Sequence, residues 1–315
     1  MVINEACQAT CPQYGALTLS LKPVLGNSMG FSFNAPTVLD QIAKAINDYR
    51  ANKNATATQA DVIAHSMGGL VTLTAVEQSN FVSRMAYGKG RIERLITIGT
   101  PYLGSPVATQ ALQGNSCVTD KLALAGKYAI LSANTNPPQG GIGDLQGCPN
   151  GSLTGCVNAL GGQVTDPTGG PVPSQSIQAL HPQSYNGVQV PAAYVGAYET
   201  AVNTGALQLS PVASGFRTSC GNASLAQNLT ATLWKQNIFG GLDSDGVVSI
   251  ISQMNGASTS PPNFVAPNDI HSEGLEALGF LGLTEQQDPN IASQVFQLLN
   301  MPTSQFTLIP SSGGG

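Results

Sequence analysis

Charge is what this sequence has least of. Only 9% of its 315 residues are Asp, Glu, Lys or Arg, and 17 acids against 12 Lys and Arg leave a net charge of −5. No basic face is available to neutralise phosphates, so nucleic acid is not an expected partner. Long apolar runs are also missing, and none approaches the ~20 residues that a bilayer-spanning helix requires. Met1 to Tyr14 has neither the charged nor the apolar section of a secretion signal. No CxxC pair occurs, and Cys7 and Cys11 have no histidines at zinc-ligand spacing, which removes the usual zinc-site patterns. Histidine itself is scarce: His65, His181 and His271 are all there is, so imidazole chemistry must choose among three.

What the chain does have is uncharged polarity: Asn, Gln, Ser, Thr and Gly recur throughout, a composition that reads as extracytoplasmic. Its six cysteines, Cys7, Cys11, Cys117, Cys148, Cys156 and Cys220, lie mostly in loop-like sequence. An even set in such surroundings predicts disulfides formed in an oxidising compartment. Cys7–Cys11 and Cys148–Cys156 are the expected local pairs. A secreted composition without a leader predicts a natural start upstream of Met1.

From Tyr14 strands and helices alternate. Ala16–Val24 reads as a strand ending at Pro23 and Gly26. Asn34 reads as an N-cap, with Pro36 in the first turn and apolar residues at Val38, Leu39, Ile42, Ala45, Ile46 and Tyr49, one face of a helix. Asp61–His65 and Arg94–Gly99 read as buried strands, and Leu70–Val76 as a helix. A strand returns at Val188–Tyr198, another at Phe264–Val265, and Ile291–Leu299 is an amphipathic helix. This alternation predicts an α/β fold, a mostly parallel sheet covered on both faces. Residues 106–187 and 200–240 are instead rich in Gly, Pro, Asn and Gln and hold Cys117, Cys148, Cys156, Cys220 and Trp234. Loops of that length inside a compact domain are expected to be functional. They are predicted to be insertions forming a disulfide-bearing cap within one domain spanning 1–315.

The segment Ala64-His65-Ser66-Met67-Gly68-Gly69 lies between a strand and a helix. That is the context of a nucleophile elbow, a sharp turn that lifts a serine above the sheet edge. Small residues must flank the serine because the backbone there is crowded and strained. The helix N-terminus that follows favours developing negative charge, and the Met67 N–H is placed to donate to an oxyanion.

With the elbow stand LITIGTPYLGS at Leu95–Ser105, GGIGDL at Gly140–Leu145, SDGVVS at Ser244–Ser249 and the segment around His271. In this order they resemble the bacterial triacylglycerol lipases and related alkyl-ester hydrolases of the α/β-hydrolase superfamily, over most of the core from Tyr14 to Leu299. The resemblance implies a serine carboxylic-ester hydrolase with Ser66 as nucleophile and a small-molecule or lipid ester as substrate. It implies lipid-interface contact through the cap, no stable protein partner, and no metal or organic cofactor. An acyltransferase or polyester depolymerase with the same triad, or a hydrolase fold that only binds, remains open.

His65 is too close in sequence to Ser66 to serve it productively, and the resemblance places it behind the elbow. His271, after a late strand, completes the chain order Ser…Asp…His of these hydrolases, with His181 as the alternative. Asp245 matches the family's Asp-Gly-x-Val segment and is the expected third member, with Asp243 as its rival and Asp269 assigned to a local turn. The lipases that this chain resembles take a second oxyanion donor from an apolar strand ending in His-Gly. Met1–Gln13 holds no such strand, so the N-terminus reads as truncated; the Gly26–Gly30 loop is a candidate substitute, though it follows the wrong strand.

Overall fold

The structure is a computed structural model that describes residues 29–54, 56–115, 118, 140–156, 163–165, 172–180, 184–185, 187–199, 230–272 and 282–308. The expected strand at 16–24, His181, and Cys7, Cys11, Cys117 and Cys220 lie outside the described residues.

Helix α1 spans Phe31–Lys53 and buries Phe31, Ala35, Leu39, Ile42 and Ile46, a stripe at helical spacing. Arg50 and Lys53 occupy its last turn, favourable at the negative end of the helix dipole, and Asn54 closes it in the left-handed region at φ 48°. The helix begins four residues earlier than an N-cap at Asn34 predicts, at Phe31 instead of Ala35. Asn34 lies buried inside it, with Nδ2 donating to the carbonyls of Met29 and Gly30. The capping acceptor comes from far away in sequence: Asp144 Oδ2 accepts from the Phe31 N–H at 2.7 Å.

Strand β1 is Ala60–His65, helix α2 is Met67–Val76 and strand β2 is Ile92–Ile98. Helix α3 is Pro106–Leu112. A small antiparallel ladder joins β3 (Ser184–Tyr185) to β4 (Val188–Gln189), ahead of β5 at Pro191–Tyr198. Helices α4 (Thr230–Phe239) and α5 (Ile250–Gln253) lead to β6 at Phe264–Pro267. The short strands β7 (Asp269–Ile270) and β8 (Leu283–Thr284) pair in parallel, and α6 (Pro289–Asn300) and β9 (Thr307–Leu308) follow.

The central sheet runs β1-β2-β5-β6, all parallel, with β9 antiparallel on β5. Alternation along the strands feeds two apolar layers, as the period of two requires. Leu95, Ala192 and Tyr194 join α1 and α2 on one face. Ile96, Ile98, Ala193, Val195, Ala197 and Ala266 join Ile291, Val295 and Leu298 of α6 on the other. Helix α2 is buried all round, which fits its almost uniformly apolar sequence. Arg94 ties α6 to the sheet: Nε donates to Asp61 Oδ1 at 2.8 Å, and Nη1 donates to the carbonyls of Leu298, Leu299 and Met301.

A third cluster stands at the C-terminal end of the sheet. Val107, Ala108 and Ala111 of α3, Ile142, and Trp234, Ile238 and Phe239 of α4 pack with Ile270. The two loose stretches of sequence therefore meet in one apolar unit. Cys148 and Cys156 form the expected disulfide, buried against Val172. No helix among the described residues is long and apolar enough to cross a membrane.

Candidate active site

The C-terminal ends of β1, β2, β5 and β6 lie along one edge of the sheet, where open α/β folds place their sites. At the end of β1 the chain turns on Ser66, whose φ of 54° and ψ of −134° are costly for a residue with a side chain. Three hydrogen bonds hold the turn. The Ser66 N–H donates to Ile98 O, the Gly69 N–H donates to Ser66 O, and Thr100 Oγ1 donates to Ser66 O at 2.9 Å. Gly69 has no room for a side chain, since a Cβ there would lie 2.3 Å from Thr100 Oγ1. Gly68 is less constrained: its Cβ would meet that of Ala64 at an ordinary 3.9 Å. Met67 is the first residue of α2, where backbone N–H groups lack partners within the helix. With the parallel sheet and its two helical layers, this strand–serine–helix turn makes the fold α/β-hydrolase-like.

Ser66, His271 and Asp245 are brought into one row. Ser66 Oγ lies 2.7 Å from His271 Nε2, and His271 Nδ1 lies 2.8 Å from Asp245 Oδ2. Asp245 sits on the loop between α4 and α5, fastened to the end of β5 by the Glu199 N–H donating to Ser244 O. Its fully buried carboxylate is well satisfied. Oδ1 accepts from the Val247 and Val248 N–H groups at 2.8 and 2.7 Å, and Oδ2 accepts from Gln253 Nε2 at 3.0 Å. The His271 N–H donates to Asp245 O, so backbone as well as side chain joins the two. Trp234 Nε1 donates to Gly246 O at 2.9 Å and fixes the same loop from α4.

The other sequence candidates fall elsewhere. Asp243 is half-exposed and pairs with Lys235, away from His271. Asp269 is a correction to the predicted turn residue: it is buried in β7, and Oδ2 has no hydrogen-bond partner. Burial, then the hydrogen bond and charge of Asp288, push its pKa up to about 7. His65 does not bond Ser66. Its ring packs 4.9 Å from that of His271, and Nε2 lies 3.0 Å from Glu285 Oε2 and 3.2 Å from His271 O. Of the Gly26–Gly30 loop only Met29 and Gly30 are described, and Gly30 packs against Asp144.

Sequence reasoning missed Glu285 and Gln253, both fully buried beside the row. Gln253 locks the Asp245 loop to β5, with Oε1 accepting from the Ala197 N–H and Nε2 donating to Ala197 O and Val248 O. Burial, reinforced by the charge of Asp245 and a hydrogen bond to it, holds Glu285 well above the usual carboxylate pKa range. His65, His271 and Glu285 present ligand-type atoms within 4.8 Å of one another. Both ring nitrogens of His271 are already engaged by Ser66 and Asp245, so the set is arranged for hydrogen bonding rather than for a metal.

A family model described as a PGAP1-like alpha/beta domain matches residues 31–123, which run through the elbow. Among solved structures, the mature lipase BlEst2 of Bacillus licheniformis is 13% identical at a TM-score of 0.40, covering 87% of this chain and 76% of that one. The phospholipase PlaB of Legionella pneumophila is 15% identical at a TM-score of 0.43, covering 86% of this chain and 49% of that one. EstA of Clostridium botulinum is 17% identical at a TM-score of 0.34, with 81% and 66% covered. This chain thus spans about half the length of PlaB. No curated protein matches the sequence.

Proposed function

We propose that the protein is a serine carboxylic-ester hydrolase working through an acyl-enzyme on Ser66. The observation that carries this reading is the continuous row from Ser66 Oγ through His271 to Asp245, with both links at hydrogen-bond length. In that order the residues can perform two-step acyl transfer. His271 Nε2 takes the Ser66 proton as Oγ attacks the ester carbonyl. The oxyanion forms next to the N-terminus of α2, where the Met67 N–H donates to it. His271 returns the proton to the leaving alcohol, and water repeats the cycle on the acyl group. Asp245 holds Nδ1–H toward itself, which leaves Nε2 free to act as base, and it stabilises the imidazolium as it forms.

The apolar unit of α3, Ile142 and α4 is the cap in this reading, because it stands over Ile270 next to His271. Small-molecule or lipid esters are the substrate class. A fluorophosphonate probe tests the proposal: it should label wild-type protein at Ser66, mapped by peptide mass, and leave the Ser66→Ala variant unlabelled. Labelling of both would place the nucleophile elsewhere.

A further inference from the structure

Ser66 stands at one end of the sheet, and a cavity of about 350 Å³ opens at the other. It lies among the last turns of α1, the approach to β1 and the segment that joins α2 to β2. Arg50, Arg84 and Arg91 line it, three of the five arginines in the chain. The polar side chains of Asn47, Thr58 and Ser83 share the lining, and Ile46 and Val82 add an apolar flank.

The three cations come from separate segments, so only the fold gathers them. Arg50 occupies the last turn of α1, where Nε donates to Ala57 O and Nη1 lies 3.4 Å from both Asn47 Oδ1 and Met85 Sδ. Arg91 Nε donates to Asn80 O at 3.1 Å. Arg84 follows Ser83 in a tight loop: Val82 bridges Gly90, the Ser83 N–H donates to Lys89 O, and the Gly88 N–H donates to Ser83 O. Among the described residues no carboxylate pairs with any of the three. The acids on neighbouring positions are engaged elsewhere, Asp48 with Lys44, and Asp61 and Glu93 with Arg94. A guanidinium cannot shed its proton, so the repulsion among three of them is relieved by an anion rather than by titration. This local excess of positive charge runs against a net charge of −5 for the whole chain.

We infer that the cavity is a binding site for a small organic phosphate, a phosphomonoester. Two negative charges suit three cations, and phosphate oxygens match the paired N–H groups of guanidinium forks. The hydroxyls of Thr58 and Ser83 add neutral donors. The volume falls at the lower end of the small-ligand range and exceeds what a lone phosphate fills, so the organic part lies along Ile46 and Val82. The same phosphate chemistry occurs on lipid headgroups, and Met85 and Tyr87 are exposed on the Arg84 loop. The place in the fold favours the soluble ligand. A bilayer seated on this end of the sheet would hold Ser66, at the opposite ends of the strands, away from it. The site stands apart from the esterase reading and does not depend on it.

The test titrates the full chain with phenyl phosphate, by calorimetry and by melting temperature, beside inorganic phosphate and benzoate. Phenyl phosphate should bind saturably at one site, raise the melting temperature and bind more weakly in high salt. It should outbind inorganic phosphate, which lacks the organic part, and benzoate, which lacks the second charge. Arg84→Gln and Arg91→Gln should each weaken binding by about tenfold or more, the scale of a hydrogen bond to a charged group. Lys235→Gln, which removes a cation elsewhere, should not. The Arg84 side chain is exposed and has no hydrogen bond among the described residues. Arg84→Gln should therefore melt like wild type without ligand and keep whatever ester hydrolysis wild type shows, which separates this test from that of Ser66. Absence of saturable binding, equal binding in wild type and Arg84→Gln, or benzoate bound as tightly as phenyl phosphate overturns the inference. Inorganic phosphate bound as tightly as phenyl phosphate overturns the organic part. Vesicles of phosphatidylcholine and phosphatidylglycerol form the last arm. Capture by them that Arg84→Gln abolishes, with no binding of phenyl phosphate, would overturn the soluble ligand in favour of a lipid surface.

Discussion

The side chain of Thr100 fills the space above Gly69, while its hydroxyl donates to the carbonyl of Ser66. One residue at the end of β2 therefore fixes both the entry to α2 and the turn on which the serine stands. Gly69→Ala would drive a Cβ to within 2.3–2.9 Å of three Thr100 atoms. Overpacking of this kind costs about 1–3 kcal/mol. Displacement of Ser66 by as little as an ångström costs about 100-fold in turnover. Urea unfolding and kcat measured on the same preparation would show both losses, and Gly68→Ala should be milder in each.

Ser66→Ala should abolish hydrolysis of short-chain p-nitrophenyl esters. The backbone strain at Ser66 is set by hydrogen bonds that the substitution leaves in place, so the melting temperature should stay close to that of wild type. Wild-type turnover by a normally melting variant would refute the assignment.

Stability should fall as pH rises through the weakly acidic range. Asp269 has its pKa raised from 3.8 to about 7, so the folded state keeps a proton that the unfolded chain releases. Its stabilising contribution is complete below the unfolded value and lost as pH climbs to about 7. Glu285 acts with the same sign. Melting temperatures recorded from about pH 5 to about pH 8 should decline, and Asp269→Asn should flatten the slope.

Arg94→Met should destabilise the chain by about 1–3 kcal/mol, the scale of leaving buried carbonyls without their hydrogen-bond donor. It strips Asp61 of its partner and leaves the carbonyls of Leu298, Leu299 and Met301 without their shared donor. It also removes the guanidinium seated 5.5 Å over the Phe306 ring. Urea midpoints at constant slope would measure the loss.

The Cys148–Cys156 bridge should appear in peptide mass maps prepared without reductant. It closes a loop with a sequence separation of 8, for which chain entropy gives about 2–3 kcal/mol. Replacing both cysteines with Ala should lower stability by that amount.

The elbow was legible because three signals coincide over a few residues: a buried strand, a serine between small residues, and an apolar helix. Asp245 and His271 were legible from chain order and segment resemblance, and the structure brings both to Ser66. Glu285 was not, because LTEQQD looks like any solvated loop. Its burial depends on the β7–β8 pairing and on a glycine 186 positions earlier, at Gly99. Asn34 misled for a related reason. Its side chain is a good local cap, but Asp144, 113 residues from Phe31, supplies the acceptor and moves the helix start. Asp269 was assigned to a turn on residue type alone, whereas β8 draws it into a strand. Local patterns report local contacts, and each of these residues is decided by a distant one.

One flank of β5 is tiled by two short strands, β6 along its C-terminal half and β9 along its N-terminal half. Both β9 and the α6 carbonyls that Arg94 grips come from the last of the described residues to leave the ribosome. During synthesis β1, β2 and β5 can pair well before that point, but one face of the sheet and part of its flank stay uncovered. Among the described residues, nothing covers that ledge of backbone and the apolar surface beside it until residues 289–308 arrive, and its vulnerability to a chaperone or to another copy of itself is a matter of timing.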